Sequence, residues 1–260
     1  MRIRIVLLTT LFLAFGPTGF AQSNARQQLR RYNPQMRSTE QDLGPDKLSV
    51  GSDSSIPLST ERALVRYVTQ NYKIAQLIIG LYKLQGENNL YLVTGTVNKD
   101  RQSEDSPAQS ILLALRAEGD KVSEVSKAEN DSDAAIKEPA FFLGQDRLLI
   151  IVSHSAPDGS LGGHYAYEYV GNNLKPLGEI PVIDKMGMSG SVWITNNQIG
   201  RATAEYRNNT YFVTVRGKGS LYEPVGGTNY KKIASPGAPV TFSYDRGEWR
   251  TISTRQVRRK

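Results

Sequence analysis

The sequence predicts an all-β fold with one N-terminal amphipathic helix, arranged as an antiparallel sandwich or as propeller-like hairpin units. Three observations predict it. β-Branched and aromatic runs recur along most of the chain, separated by clusters of Gly, Asn and Asp. A single segment, "STERALVRYVTQNY" at 59–72, carries helical periodicity. The 260 residues include no cysteine, so the core has to form by apolar burial without disulfides, which a chain of this length allows.

The first element reads as an export signal over residues 1–21. Arg2 and Arg4 form its positive end, Ile5 to Phe15 its apolar run, and Gly19-Phe20-Ala21 its small-residue cleavage site. That run is about half of the roughly 20 residues a membrane-spanning helix needs. No later stretch is long and apolar enough to span, so the mature chain is expected not to cross a membrane. Residues 22–58 are polar, with scattered Pro, Ser, Gln and Gly and no apolar period. Such a composition buries too little surface to offset ordering entropy, and the segment is expected to be disordered.

A single β-rich domain is expected over 59–254. In its helix, Ser59 or Thr60 supplies the cap and Glu61 lies in the first turn, where the dipole favours a carboxylate. Leu64, Val65, Val68 and Tyr72 form one apolar stripe that docks on a sheet. "QLIIGLYKL" and "LYLVTGTV" flank the turn residues Gly86-Glu87-Asn88-Asn89, and "SILLALRAEGDKVSEVSK" reverses at Gly119-Asp120. "KAENDSDAAIKEPA" reads as an exposed connection. "RLLIIVSHS", "HYAYEYVG" and "LKPLGEIPV" follow, then "SVWITNN", "RATAEYRNN", "TYFVTVRGKG" and "VTFSYDRGEWR". Similar apolar strands starting at 90, 148 and 210 suggest a faint repeat with the rhythm of propeller blades.

Complete catalytic motifs are missing. There is no G-x-x-x-x-G-K-[ST] loop, and "RGKGSLY" reads as a hairpin turn. "MGMSGS" places Ser189 near two glycines, but with the wrong spacing for a nucleophile elbow. Asp131 and Asp133 alternate as in a calcium loop, yet the loop's glycine and closing glutamate are absent. The absence of cysteine removes thiolate nucleophiles and sulfur-ligated metals.

The residues that stand out lie in "SHSAPDGSLGGHYAYEY", which holds both histidines of the chain. Tyr165, Tyr167 and Tyr169 alternate on one strand face and form a candidate platform for a sugar, a peptide or a protein. Glu168 falls on the opposite face; if buried there it needs a partner, and the reading favours the polar side of a half-buried sheet. His154 and His164 meet in one of two hairpin registers. A tight turn at Asp158-Gly159 sets His154 across from Gly163 and keeps the rings apart. An open loop over 155–163 sets the histidines opposite one another, and Pro157 with Gly162-Gly163 favours it. Even then the third ligand of a zinc site is wanting, Asp158 being the better candidate, so no metal and no cofactor is assigned.

The formal charge is +7, or +5 once Arg2 and Arg4 are cleaved away. Part of it sits in "ARQQLRRY" and in a basic tail, "RQVRRK" at 255–260, both read as solvated rather than as nucleic-acid contacts. An exported chain without disulfides fits a bacterial periplasm or exterior. The sequence therefore leads to an exported, non-enzymatic β-protein that binds or scaffolds a protein or glycan at the cell envelope. The rival is an envelope or extracellular hydrolase acting on glycan or ester through a carboxylate or a histidine.

Overall fold

The computed structural model describes residues 26–42, 47–72, 78–85, 89–98, 108–130, 135–155, 161–180, 201–216, 221–226, 229–234 and 238–252. The signal, the basic tail, "SVWITNN", Ser189, Asp131, Asp133 and Asp158 lie outside these residues. Strands β1 (Gln27–Tyr32), β2 (Met36–Asp42) and β3 (Lys47–Asp53) precede helix α1 (Leu58–Asn71). Then come β4 (Ile78–Lys83), β5 (Leu90–Asn98), β6 (Ala108–Glu118), β7 (Lys121–Asn130), β8 (Ala135–Leu143), β9 (Leu148–Ser155), β10 (Leu161–Val170) and β11 (Asn173–Ile180). The last are β12 (Thr203–Arg207), β13 (Thr210–Arg216), β14 (Leu221–Gly226), β15 (Asn229–Ala234), β16 (Pro239–Asp245) and β17 (Glu248–Ile252).

Three of these strands correct the expectation of disorder over 22–58, and they also correct the helix's place. It forms at the expected residues, but as the fourth element rather than the N-terminal one. Composition misled because each strand needs only one or two inward side chains. Leu29 on β1 and Leu48 and Val50 on β3 are at most 3 % exposed, while their polar neighbours alternate outward. The cap also differs. Pro57 occupies the N-cap position with no side-chain bond, so Ser59 and Thr60 lie inside the first turn. The expected connection at 127–140 is mostly strand, since β7 runs to Asn130 and β8 starts at Ala135.

Nine strands form one antiparallel sheet in the order β11-β10-β9-β8-β1-β12-β13-β16-β17. Its outer strands β11 and β17 come together, so the sheet nearly closes into a barrel. β1 splices its two halves: Gln27–Leu29 pair with β12, and Arg30–Tyr32 pair with β8. The second sheet runs β2-β3-β4-β5-β6-β7, and β14 and β15 form a separate hairpin. Within the second sheet β3 and β4 are parallel, which requires a crossover, and α1 supplies it. The faint repeat is not propeller-like, because β5 belongs to the second sheet while β9 and β13 belong to the first. Hairpin turns follow the sequence's punctuation. Gly171-Asn172, Asn208-Asn209 and Arg246-Gly247 all have positive φ, as a two-residue turn matched to strand twist requires.

Three apolar clusters hold the layers. Leu64, Val65 and Val68 of α1 pack on Val50, Ile79, Val93 and Leu113 of the second sheet, as the stripe predicts. The opposite face of that sheet, with Tyr82, Leu92 and Leu112, packs on Phe141, Ile150, Tyr167 and Leu174 from the outer surface of β8–β11. Phe142, Ile151, Ala166, Val213 and Phe242 fill the barrel interior.

Two buried acids tie the N-terminal strands into this frame. Glu61, 1 % exposed, accepts bonds from Arg37 Nη2 at 2.6 Å and from Thr39 Oγ1 at 2.7 Å. Burial alone would raise its pKa, but the bonds from Arg37, Thr39 and Ser52 outweigh it and hold the carboxyl below its ordinary value. Asp53, 2 % exposed, accepts from the Tyr32 hydroxyl at 2.6 Å and from the Ser55 N–H at 2.9 Å, linking β3 to β1.

Candidate functional site

The turns that join β8 to β9, β10 to β11, β12 to β13 and β16 to β17 gather at one end of the barrel. Alternation along β10 sends Ala166 and Glu168 inward and Tyr167 and Tyr169 outward. Four positions beyond His164, Glu168 reaches the end where β13 begins. There the Tyr211 hydroxyl donates to its Oε1 at 2.6 Å, and Arg147 Nη1 lies 3.4 Å from the same oxygen. Arg147 also donates from Nε and Nη2 to the two oxygens of Asp146, both at 3.1 Å. Its guanidinium carbon stands 3.6 Å from the centre of the Tyr206 ring, and that ring tilts against Tyr211 with centroids 4.8 Å apart.

This cluster is electrostatically closed. Burial, then the bond to Glu168, pushes the Tyr211 phenol well above its ordinary pKa, so its proton stays on oxygen. Burial would lower the pKa of Arg147, but the bond to Asp146 and the contact with Tyr211 outweigh it and keep the guanidinium charged. A cleft of about 140 Å³ lies beside the cluster, at the seam between the sheets. Leu84, Leu143 and Leu148 line its apolar side, and Gln85, Asp146 and Arg147 its polar one. The arrangement can hold charge in place, but its base and its cation already serve each other.

The other candidate residues do not join this cluster. Tyr167 and Tyr169 are 2 % and 6 % exposed and belong to the core between the sheets, with Tyr165 packed at its edge. They cannot form a surface platform. The alternation is as expected, but the face meets a second sheet instead of solvent. His164 is fully buried, and its Nδ1 lies 2.8 Å from Ser153 Oγ. The register sets His164 across from Ser153 and His154 across from Gly163. This corrects the preference for an open loop, because the ladder continues to Ser155 and Leu161 and leaves only 156–160 for the connection. Among the described residues no group of three His, Asp or Glu side chains is placed to hold a metal ion.

Arg147, Tyr206 and Tyr211 were not legible as site residues. The signal was Glu168 itself, a carboxylate within an apolar strand, but its partners lie 21 and 43 residues away. Comparison with protein-family models, with curated proteins and with solved structures gives no match.

Proposed function

We propose that the chain is an exported, non-enzymatic β-protein of the bacterial cell envelope that binds or scaffolds a partner there. The observation that carries this reading is the mutual satisfaction of the Glu168 cluster. Arg147 is taken up by Asp146 and Glu168, and the Tyr211 proton by Glu168, so within this cluster neither a base nor a nucleophile is left poised. Such a cluster stiffens one end of the barrel and the rim of the adjoining cleft, which suits recognition by a preformed surface. The rival reading, a hydrolase working through a carboxylate or a histidine, has one serine–histidine contact among the described residues, Ser153 with His164. Both side chains are at most 1 % exposed, which leaves a substrate no approach to the serine.

The test is affinity capture of the tagged protein from its own cell envelope. One stoichiometric partner is expected. Recovery of none overturns the reading, and turnover of an envelope glycan or ester that is lost in Ser153→Ala would put the hydrolase in its place.

A further inference from the structure

We propose that the cleft at the seam between the two sheets binds a single neutral sugar ring of an envelope glycan. The inference rests on the partner-binding reading and names the partner's chemistry. The cleft lies between the turn 144–147, which joins β8 to β9, and Gly171 at the start of the β10–β11 turn. Leu84 and Gln85, just beyond β4, line it from the second sheet. Bonds already in place hold its rim. The Gly144 N–H donates to the Arg147 carbonyl at 2.8 Å, and the Tyr169 hydroxyl donates to Asn172 Oδ1 at 3.0 Å. A preformed rim lowers the ordering cost of binding.

Size and charge narrow the ligand. The cleft measures about 140 Å³, well below the roughly 300 Å³ at which sites for drug-sized ligands begin. One ring fits, and a longer chain has to continue into solvent. The charges around the cleft cancel. Arg147 pairs with Asp146 and Glu168, and Arg30 donates to Gln85 Oε1 at 3.1 Å, so two positive groups stand against two negative ones. An ionic ligand would give up hydration on entry and meet no uncompensated counter-charge.

The remaining hydrogen-bond capacity selects hydroxyls. Asp146 accepts two bonds from Arg147, both at 3.1 Å, of the about four its carboxylate can take, and its side chain is 64 % exposed. Gln85 uses Oε1 for Arg30, and its amide nitrogen carries two N–H groups, of which the Tyr32 hydroxyl takes one. The cleft thus offers both acceptors and a donor, and a hydroxyl serves either. Neighbouring hydroxyls on a ring also reach both oxygens of one carboxylate, which a single peptide N–H does not. Leu84, Leu143 and Leu148 supply an apolar wall for the C–H face of the ring, while its hydroxyl rim meets Gln85 and Asp146.

The experiment titrates the isotope-labelled chain without residues 1–21, a deletion that touches no described residue, and follows amide NMR shifts. The probes are glucose, galactose, mannose and N-acetylglucosamine. At least one is expected to shift Gln85, Gly144, Gln145 and Gly171 together and to saturate in about the millimolar range, as one small ring allows. Glucosamine and glucuronic acid should bind no tighter than glucose. Asp146→Ala and Gln85→Leu, both at exposed positions, should each weaken binding about tenfold, and Asp120→Ala in the β6–β7 turn should leave it within about twofold. Thermal melts check the fold of each variant, and either site variant suffices if the other unfolds. No shift at these amides, tighter binding of a charged sugar, unchanged affinity in the site variants, or equal loss in Asp120→Ala overturns the proposal. An equal response to N-acetylalaninamide also overturns it, in favour of a peptide partner. The titration needs no captured protein, so the two readings fail separately: a captured protein with no sugar response removes this inference and leaves the wider one.

Discussion

Tyr32 and Asp53 show how much one hydrogen bond sets when both ends are held. Burial and then the Asp53 bond push the Tyr32 phenol up to about 12. Burial would raise the Asp53 carboxyl, but the bonds from Tyr32, Ser55 and Lys83 outweigh it and lower its pKa. The signs give two windows. A carboxyl lowered in the folded state stabilises above its unfolded value near 4, and that contribution is lost as pH falls through the folded value. A phenol raised in the folded state stabilises below about 10, and that contribution is lost as pH rises from there towards about 12. Tyr32→Phe should therefore cost about 2 kcal/mol at neutral pH, because it leaves a buried carboxylate short of a donor. Its stability should also fall less steeply than the parent's in both windows, as urea midpoints measured across pH would show. Parallel curves would mean that the bond is not formed in solution.

At the scale of elements, β1 has the most consequence for its size. Its first three residues pair with β12 and its last three with β8, so it joins strands that lie about 60 residues apart in the chain. Deleting residues 26–32 would leave facing edges of β8 and β12 without partners and open the barrel interior at Leu29. The expected result is loss of the single cooperative urea transition; a deletion variant with an unchanged midpoint would show that the halves join without it. This strand was also the least legible. "RQQLRRY" has one inward apolar side chain, Leu29, and its partners are supplied by register rather than by local pattern. α1 and the later hairpins were legible because their signals are local: an apolar stripe at helical spacing, and Gly or Asn where φ turns positive. The site stood between these cases. Glu168 could be singled out from its own strand, but whether its face met a barrel interior, a sheet or solvent depended on how distant strands assemble.

For the whole molecule, the tyrosines of β10 set how the two sheets depend on each other. Tyr167 fills the layer that the second sheet and the outer surface of β8–β11 share, alongside Phe141, Leu92 and Leu112. Each sheet has its own further core, on α1 in one case and in the barrel in the other, so each could in principle unfold alone. The shared layer opposes that, since either sheet unfolding alone would expose the large apolar side chains of the other. Tyr167→Ala opens a cavity at this joint rather than within either core, and by analogy with other buried aromatic truncations it should cost about 4 kcal/mol. The loss should appear as faster hydrogen exchange in β5 and β6 as well as in β9 and β10, with one urea transition shifted as a unit. Faster exchange confined to β9 and β10 would mean that the sheets unfold independently, and that the tyrosine face contributes to one of them alone.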